Sequence, residues 1–480
     1  MRRTVLAIDA GTTSVRALVI DEALNVLGRA LVRADVRHPA PGRVEQDAAQ
    51  LWSATQTVIE QALTNAGITR GEVAAIGIST QRGNVVVWDR ATGLPLAPLV
   101  SWQDLRGSAR AAQLLAQGFM LSHQTSAAKL EAVLAGVDRG HERFNAGALL
   151  WGNLDTYLAW RLSQGGVYAT EPGQACATGY YDYFTGVWNH VLIEAQGLDP
   201  ARFPALRDTT TLYGHTTPAA FGAFCPIGAL VADQQSAAIA QGCLHAGDAK
   251  VTYGTSATYD ANTGADLKLA PGTYPMVLWQ RASARSFCIE GMVNTAGAMI
   301  DWAVAELGIA ASAADLSLLA QTVPDAAGAF VLPALQGLGT PHGDATRRAL
   351  IGGLSRATTR AHLARAVLEG IAFRVREVHD AIRAVSDLPT PRTLRADGGA
   401  SRSDALMQIQ ADVLGASVER LDIAEASALG AAICAGEGAQ LWDAQTIATT
   451  RRVDRTFEPR ISEDEREGRF ARWRENCRLG

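Results

Sequence analysis

Cysteines are few in this sequence, and they do not form the closely spaced pairs that bind metal or build a disulfide framework. The six cysteines are Cys176, Cys225, Cys243, Cys288, Cys434 and Cys477, with no Cys-x-x-Cys pair among them. Small disulfide-rich scaffolds and structural zinc sites both need such pairs. We therefore expect reduced thiols and a cytoplasmic protein.

Long apolar runs and runs of one charge are also missing. The apolar residues after Met1-Arg2-Arg3 are interrupted at Asp9, and no stretch approaches the roughly 20 apolar residues of a membrane span. The net charge is -5, whereas a nucleic-acid-binding surface is usually strongly basic. We expect no membrane insertion and no nucleic-acid partner, so that a small molecule is the favoured ligand.

What the sequence does have is enough apolar material for two large domains. It contains 480 residues, of which 48% are hydrophobic. A single hydrophobic core rarely grows beyond ~250–300 residues. Two domains of similar size are therefore expected.

Residues 5–21 are predicted to form a β-hairpin with a polar tip. Apolar runs flank the small and hydroxyl residues Gly11, Thr12 and Thr13, and Asp9 ends the first run. A glycine lets backbone amides approach a phosphate, the threonines and Arg16 add hydrogen-bond donors, and the carboxylate can hold hydrated Mg²⁺. The alternative is a plain surface turn.

A second stretch, residues 249–262, repeats this pattern. An apolar run leads into Gly254-Thr255-Ser256 and a return strand, ~243 residues after the first hairpin. If the two turns face each other, their backbone amides and hydroxyl groups could bind opposite sides of a triphosphate. The repeat predicts duplicated domains.

Polar residues follow several predicted strands of the first half. A helix is predicted from Asp47 to Gly67, and strands at 28–37, 73–79, 85–88 and 99–102. Arg82 and Trp102 lie where two of these strands end, which is where open α/β sheets bind ligands. Taken singly, Arg82 is better explained as a surface arginine in a turn and Trp102 as a core aromatic residue. It is the pairing of the two that favours a ligand site.

The next segments lead to a predicted strand that is followed by an acidic residue. Residues 109–134 have a helical, alanine-rich pattern, and residues 170–177 are interpreted as a loop. The apolar strand 226–232 then ends at Asp233. Asp233 can cap the following helix or serve as a general base for a substrate hydroxyl, and the two roles are compatible.

The second half adds one more glycine-rich turn and four helices. Helices are predicted at 294–307, at 359–385, at 428–433 and, after a capping box at Ser462, along the charged C-terminal tail. The turn 397–401 follows a short strand, and its glycines permit close approach of a flat ring or a ribose.

In this order, the motifs resemble the FGGY carbohydrate kinase family and, within it, the glycerol-kinase-like branch. The matching stretches are AIDAGTTSVRALV at 7–19, GISTQR at 77–82, SWQDLR at 101–106, GNLDTYLAWRL at 152–162, ALVADQQSA at 229–237, TYGTS at 252–256, GLGTPHGDATRRALIGGL at 337–354, RADGGASRSDALMQ at 395–408 and ALGAAICAG at 428–436. The resemblance implies an α/β fold of two actin-like (ribonuclease H-like) domains, each a mixed β-sheet flanked by helices, with the active site in the cleft between them. It places the domains at 1–244 and 245–480.

The resemblance also implies a role for each matched residue. The catalytic base would be Asp233, and Asp9 and Asp233 would lie at Mg²⁺. The acceptor would contact Arg82, Trp102, Asp104, Gln124, Asp233 and Gln234. ATP would be held by Gly11, Thr12, Thr13, Arg16, Gly254, Thr255, Gly297, Asp301, Gly399 and Ser403.

The sequence departs from glycerol kinases around the acceptor. Gly83 stands where those enzymes have a glutamate, and Gln124 where they have a tyrosine. Asp104 is similar to an acid of ketose kinases. At nucleotide positions, Asp301 replaces a glutamine and Ser403 an asparagine.

The leading hypothesis is an ATP-dependent kinase of glycerol or a related small polyol or sugar. A ketose kinase, similar to xylulokinase or ribulokinase, is the first alternative, and a non-catalytic actin-like ATP-binding regulator is the second. A homodimer or homotetramer is also expected from the resemblance.

Overall fold

The hairpin at the start of the chain lies in the middle of a six-stranded sheet. In the computed structural model, Thr4–Ala10 (β1) pairs antiparallel with Ser14–Asp21 (β2). On its other side β1 runs parallel to Val73–Thr80 (β5). All seven residues of β1 are buried, as expected for a strand covered on both faces. The structure describes residues 3–119, 121–386, 388, 391–423, 425–443 and 451–479.

Contacts divide the chain into two units. Unit 1 comprises Met1–Ala240, Val277–Arg285 and Ala426–Thr450, and unit 2 comprises Gln241–Met276, Ser286–Glu425 and Arg451–Gly480. A helix near the C-terminus, Ala426–Gly438, thus belongs to unit 1. The predicted functional division at 244/245 stays a prediction.

The remaining elements of unit 1 surround its sheet. Its other strands are Val26–Arg33 (β3), Glu45–Gln46 (β4), Val86–Asp89 (β6), Leu99–Val100 (β7), Leu149–Gly152 (β8), Ala169–Thr170 (β9), Ala205–Leu206 (β10), Thr210–His215 (β11) and Pro226–Ala232 (β12). Its helices within the first 240 residues are Ala48–Ala66 (α1), Ser108–Ala116 (α2), Leu130–Ala135 (α3), Gly140–Asn145 (α4), Leu154–Leu162 (α5), Pro172–Ala177 (α6), His190–Ala195 (α7), Pro218–Phe221 (α8) and Asp233–Ala240 (α9), with 3₁₀ turns at Arg70–Glu72, Leu105–Gly107 and Pro200–Arg202.

The later part of the chain forms a second mixed sheet and further helices, of which Ala426–Gly438 packs on the first sheet. The strands are Ala249–Tyr253 (β13), Ala257–Gly264 (β14), Tyr274–Arg281 (β15), Ala284–Val293 (β16), Phe330–Leu332 (β17), Leu350–Gly352 (β18), Thr393–Asp397 (β19), Ser417–Leu421 (β20) and Val453–Phe457 (β21). The helices are Gly297–Ala305 (α10), Ala313–Ala320 (α11), Arg360–Ser386 (α12), Asp404–Leu414 (α13), Ala426–Gly438 (α14) and Glu463–Cys477 (α15), with a 3₁₀ turn at Gly399–Arg402.

The two sheets repeat one topology. The first has the strand order β11-β12-β5-β1-β2-β3, and the second β15-β16-β14-β13-β19-β20-β21. In each, a hairpin carries a third antiparallel strand on one side and two parallel strands on the other. The predicted duplication is therefore confirmed at the level of strand pairing.

Helices cover the two faces of the first sheet differently. Ile76 and Ile78 of β5 belong to the apolar cluster that contains the buried face of α1. Because side chains alternate along a strand, Gly77 faces the other side, where a Cβ would lie 2.1 Å from the Ala431 carbonyl oxygen of α14. The second face therefore depends on small residues that let α14 approach the strand backbone.

Several helix ends follow the sequence prediction. Asp47 caps α1 by accepting hydrogen bonds from the Ala49 and Gln50 amides, and Gly67 ends the helix with a φ of 68°. Ser462 caps α15. Among the described residues, none of the helices has the length and apolar character needed to cross a membrane.

Two predicted segments were wrong, and the bounds of a third differ. The predicted helix 109–134 is two helices, α2 and α3, because the chain turns at Gly118, where φ is 92°. The predicted loop 170–177 contains α6, whose first turn is stabilised by Glu171 as N-cap and Pro172 at the first helical position. The predicted strand 28–37 ends earlier, at Arg33.

Candidate active site

Three parallel strands of unit 1 end level with one another, and this brings the predicted site residues together. The register pairs Ala10 with Thr80 and Thr80 with Ala232. The next residues of each chain segment therefore emerge from the same edge of the sheet. These are the hairpin tip, the segment with Arg82, and Asp233.

The tip of the first hairpin presents groups that suit an anion. The Gly11 amide donates to the Ser14 carbonyl oxygen at 3.0 Å, which closes the turn. Asp9 and Arg16 face each other in register, with 3.9 Å between Arg16 Nη1 and Asp9 Oδ2. Arg16 Nε is buried and has no hydrogen-bond partner among the described residues. An arginine held in this way next to a glycine turn fits a phosphate oxygen.

The residues at this tip also fit a magnesium ion bound together with ATP. The described residues contain no group of three or more metal-ligating side chains. Mg²⁺ in phosphoryl-transfer sites needs only one or two carboxylates, because phosphate oxygens and water supply the other ligands. Asp9, which is 6% exposed at the edge of the sheet, supplies such a carboxylate.

Thr12 links the hairpin tip to the acceptor segment. The Trp102 indole Nε1 donates to Thr12 Oγ1 at 3.1 Å, and Thr12 Oγ1 donates to Gln81 Oε1 at 3.2 Å. Gln46 Nε2 donates to the Thr12 carbonyl oxygen at 2.9 Å. Thr13 at the same tip is exposed. The structure thus holds Thr12 and Trp102, predicted for ATP and for the acceptor, within one hydrogen-bond network.

Arg82 and Asp233 form the charged pair of this edge. Arg82 Nε lies 3.5 Å from Asp233 Oδ1, and the two side chains are 13% and 24% exposed. The Gln234 amide donates to Asp233 Oδ1 at 2.8 Å. Asp233 therefore begins α9 and is oriented by an arginine and a backbone amide while part of its surface stays accessible.

Gly83 and Gln124 pack against each other through their backbones. Gly83 has a φ of 63°, in the region that favours glycine. A Cβ at this position would lie 2.6 Å from the Gln124 carbonyl oxygen. The glutamate found at this position in glycerol kinases therefore has no room in this structure unless the 124 segment moves.

Asp104 is fully buried beneath the segment that carries Trp102. Its carboxylate accepts from the Val44 amide at 2.7 Å, from the Arg106 amide at 2.8 Å and from the Arg106 guanidinium. Burial alone would raise the pKa of Asp104, but the hydrogen bonds from Arg106 and Val44 outweigh burial and hold the pKa below its ordinary value. Asp104 braces this segment, and its predicted contact with the acceptor stays a prediction.

In unit 2 the second hairpin tip is joined to the start of α10. The Gly297 amide donates to the Gly254 carbonyl oxygen at 2.9 Å, and the Ala296 amide to the Thr255 carbonyl oxygen at 2.9 Å. A Cβ on Gly297 would lie 2.5 Å from the Gly254 oxygen. The predicted nucleotide residues Gly254, Thr255 and Gly297 thus form one backbone cluster.

The glycine turn after β19 lies next to the same hairpin. Strand β19 runs parallel to β13, and Gly398, with a φ of 85°, would place a Cβ 2.5 Å from the Tyr253 carbonyl oxygen. At Gly399, by contrast, a Cβ would meet open space. Gly399 therefore leaves an exposed backbone surface, as a bound ring requires.

Asp301 and Ser403, both predicted to contact ATP, have different surroundings in the structure. Asp301 is exposed on α10, one turn after Gly297. Ser403 caps α13 by accepting from the Leu406 amide at 3.1 Å, and its hydroxyl lies 2.7 Å from Ser317 Oγ. Ser403 thus has a structural task, and its predicted contact with ATP stays a prediction.

Sequence reasoning missed the buried Glu171 beneath Asp233. Its carboxylate accepts from the Gly173 amide at 2.7 Å, the Ala232 amide at 3.2 Å and Thr209 Oγ1 at 3.0 Å. Burial raises the pKa of Glu171 to about 7, although these hydrogen bonds act in the opposite direction. The sequence Glu171-Pro172 is a helix-start signal that could have revealed the cap.

A buried lysine, Lys250, supports the second hairpin and was also missed. Its Nζ lies 2.8 Å from Asp260 Oδ2 and donates to Thr252 Oγ1 at 2.8 Å. Burial opposes the charge, but Asp260 and Asp397 raise the pKa of Lys250 above its ordinary value. A lone lysine in an apolar strand carries no sequence signal for such a pair.

Comparisons with known proteins match both halves of the chain to one family. The chain matches the N-terminal domain of the FGGY family of carbohydrate kinases over residues 4–240 and the C-terminal domain of that family over residues 249–439. It is 37% identical over 481 residues to the glycerol kinase of Deinococcus radiodurans, covering 98% of this chain and 96% of that protein.

Two solved kinase structures are similar to the chain over nearly its whole length. The glycerol kinase of Plasmodium falciparum with ADP has a TM-score of 0.93 and 25% identity, covering 99% of this chain and 98% of that chain. The xylulose kinase of Rhodospirillum rubrum has a TM-score of 0.84 and 25% identity, covering 99% and 98%. The predicted fold of two α/β domains of the actin-like type is confirmed by these matches. With both of its family domains matched and a relative above 30% identity over nearly the whole length, the chain belongs to the FGGY family of carbohydrate kinases.

Proposed function

We propose that the protein transfers the γ-phosphoryl group of ATP to a hydroxyl group of glycerol or of a related small polyol or sugar. The observation that carries this proposal is the pair formed by Arg82 and Asp233, 3.5 Å apart at the edge of the first sheet. The hydrogen bond from Trp102 to Thr12 supports it, because it ties the proposed acceptor residues to a phosphate turn.

In the proposed reaction Asp233 is the general base. The acceptor hydroxyl oxygen forms a bond to the γ-phosphorus, the bond from that phosphorus to the β–γ bridging oxygen breaks, and ADP leaves. The hydroxyl proton passes to the Asp233 carboxylate, while Arg82 and Gln234 orient the acceptor. Positioning and charge neutralisation supply most of the rate in such transfers.

The ATP contacts are proposed on both units. Gly11, Thr12, Thr13 and Arg16 of unit 1 and Gly254 and Thr255 of unit 2 would bind phosphates, and Gly297, Asp301, Gly399 and Ser403 would contact the nucleoside. Asp9 and Asp233 would hold Mg²⁺. When bound, the ion neutralises charge on the β- and γ-phosphates.

Glycerol itself is supported by the relatives and opposed by one feature of the acceptor site. A glycerol kinase shares 37% identity with this chain, but Gly83 has no space for a carboxylate side chain. A ketose kinase is therefore the second candidate. The similarity to a solved xylulose kinase is compatible with it.

A panel assay tests the proposed function. The wild-type protein is incubated with ATP and Mg²⁺ and one polyol or ketose at a time, and ADP release is followed. We expect ADP release that depends on the acceptor, with glycerol and small ketoses as the first candidates. No acceptor-dependent release across a broad panel would refute the proposal.

We further propose that the enzyme works in the cytoplasm, because its six cysteines are scattered along the sequence with no Cys-x-x-Cys pair, as is usual for proteins with reduced thiols. Residues 1–244 would supply the acceptor site and residues 245–480 the nucleotide site. Helix α14 lies in the second of these ranges but belongs to unit 1. A homodimer or homotetramer stays a prediction.

A further inference from the structure

Lys129 is a fully buried lysine whose ammonium group donates hydrogen bonds to three backbone carbonyl oxygens. Its Nζ donates to the carbonyl oxygens of Gly83 at 2.8 Å, Ser101 at 2.9 Å and Gln124 at 3.0 Å. The residue is 0% exposed. An ammonium group has three donors, so these three carbonyls use all of them.

Each of the three carbonyls belongs to a segment that carries a proposed acceptor residue. Gly83 follows Arg82, Ser101 precedes Trp102, and the third carbonyl is that of Gln124 itself. The three segments lie far from one another in sequence between residues 82 and 124. One ammonium group therefore fixes their mutual positions.

Burying the ammonium group of Lys129 costs free energy. Comparison with an apolar side chain of similar length shows what the ammonium group contributes in return. Burial lowers the pKa of Lys129 to about 7, and only Asp104 among its charged neighbours opposes this, since Arg106 lowers the pKa further. An apolar side chain of similar length would fill the same space without desolvating a charge. The ammonium adds three directed hydrogen bonds, which an apolar side chain would not provide.

The packing around Gly83 shows how little freedom the clamped segments have. A Cβ on Gly83 would lie 2.6 Å from the Gln124 carbonyl oxygen, the same oxygen that Lys129 holds, and 3.5 Å from Trp102 Cβ. The three segments are thus in direct contact as well as bonded to one ammonium. A displacement of one segment would be transmitted to the other two.

We propose that Lys129 is a positioning residue that sets the geometry of the acceptor pocket by clamping the segments of Arg82, Trp102 and Gln124. The proposal rests on the proposed function for the identity of the pocket. The clamp itself rests on the three hydrogen bonds alone. It assigns Lys129 a role in acceptor binding without any contact to the acceptor.

The test compares Lys129→Met, which removes the three donors, with Lys129→Arg, which keeps charge and donors. Tyr168→Phe is the matched control, because the Tyr168 hydroxyl also lies 2.9 Å from two backbone carbonyl oxygens of unit 1, those of Trp151 and Arg202, and can donate to either. Steady-state kinetics give KM for the acceptor, KM for ATP and kcat. Hydrogen exchange is measured for the full-length proteins.

In Lys129→Met we expect the KM for the acceptor to rise by about tenfold or more, while the KM for ATP changes less than twofold. Lys129→Arg should recover part of the loss, and Tyr168→Phe should leave both KM values within twofold of wild type. Equal losses in both KM values, or an unchanged acceptor KM, would overturn the proposal.

Hydrogen exchange tests, independently of turnover, whether Lys129 holds the three segments in place. In Lys129→Met, amides in segments 82–85, 101–103 and 124–126 should all exchange about tenfold faster or more, with the hairpin 249–262 unchanged. If exchange in the three segments stays at the wild-type rate, the clamp is refuted. If wild type shows no acceptor-dependent turnover, the proposed function fails, and the exchange result still decides on the clamp. If Lys129→Met does not fold, the same exchange and KM measurements on Lys129→Arg decide. Because a guanidinium group places its donors differently from an ammonium group, the acceptor KM and the exchange in the three segments should change while the KM for ATP does not.

Discussion

At the scale of single residues, the proposed chemistry depends on one carboxylate, Asp233, with a defined set of neighbours. It is oriented by Arg82 and by the Gln234 amide, and it lies level with the hairpin tip that would hold the phosphates. In the proposed reaction its main task is to accept the hydroxyl proton, since Asp9 and the two hairpin tips would supply most of the contacts to Mg²⁺ and ATP. Proton acceptance and nucleotide binding are therefore separable by mutation.

Asp233→Asn should lower kcat by about 10²- to 10⁴-fold, because an amide cannot accept the hydroxyl proton, while ATP affinity changes little. The matched control is Asp47→Asn, since asparagine is as good an N-cap as aspartate and α1 should be unaffected. Turnover and calorimetric ATP binding are the measurements. Near-normal turnover of Asp233→Asn would exclude its role as base.

Gly83→Ala tests whether the close backbone approach at this residue excludes a side chain. Gly67 has a similar φ of 68° but would place a Cβ in open space, so Gly67→Ala reports the cost of the backbone conformation alone, about 1–2 kcal/mol. We expect Gly83→Ala to lower the free energy of unfolding by about 1–3 kcal/mol more than this and to raise the acceptor KM. Equal losses in urea denaturation of the two variants would contradict the steric account.

At the scale of elements, α6 begins with a buried acid that also holds the strand leading to Asp233. Glu171 accepts from the Gly173 and Gln174 amides of α6 and from the Ala232 amide at the end of β12. The cap therefore connects a helix start to the segment that delivers the proposed base. Its protonation links stability to pH.

The pH dependence follows from the raised pKa of Glu171, which lies at about 7 against an ordinary value of 4.5 because the side chain is buried. Between pH 4.5 and 7 the folded protein keeps a proton that the unfolded chain has lost, so this residue's contribution to stability falls as pH rises. Glu171→Gln does not titrate. Its stability relative to wild type should therefore increase over this interval by at most about 3 kcal/mol, at about 1.4 kcal/mol per pH unit.

Urea denaturation of both proteins between pH 5 and pH 8 measures this difference. The neighbouring Asp155, whose pKa burial raises to about 6, titrates in both proteins and largely cancels. The variant should be less stable than wild type throughout, because an amide group faces backbone N–H donors. A difference that does not change with pH would contradict the account.

Local patterns predicted the elements well where caps and alternation were present, and less well elsewhere. Asp47 and Gly67 marked both ends of α1 correctly. The alanine-rich segment 109–134 favours helix throughout by propensity, and only Gly118 indicated the break. At 170–177 the small residues suggested a loop, although Glu171-Pro172 was a helix start.

At the scale of the whole molecule, the C-terminal half of the chain contributes a helix to unit 1. Ten of the thirteen residues of α14 are buried, and it packs against β1, β5, β12 and α9. A Cβ on Gly430 would lie 1.9 Å from the Ser236 carbonyl oxygen of α9. The first sheet therefore needs a helix that lies, in the chain, between the last two strands of the second sheet, β20 and β21.

A fragment of residues 1–244 should consequently fail to fold cooperatively, because the faces of β5 and α9 that α14 covers would be exposed to water. The same fragment extended through a flexible linker by residues 426–443 should regain a thermal transition. Circular dichroism melts compare the two. A sharp transition in the shorter fragment would show that α14 is dispensable.

Much of the candidate site could be predicted from sequence, because strand ends and glycine turns are local signals. Asp9, Arg82 and Asp233 were found in this way, and the structure brings them to one sheet edge. Lys129 and Glu171 were not, because each acts through contacts to residues tens of positions away that only the folded chain brings close. Asp104 was assigned from its motif, whereas its geometry shows a brace.

The most direct test of the central claim follows the phosphoryl group itself. Wild-type protein is incubated with ATP labelled in the γ-phosphoryl group, Mg²⁺ and glycerol or the best acceptor from the panel, and the products are separated by mass spectrometry. We predict one labelled phosphate ester of the acceptor for each ADP formed, and no such ester with Asp233→Asn on the same time scale. Label found only in inorganic phosphate, or ADP formation that is independent of every acceptor, would contradict the account.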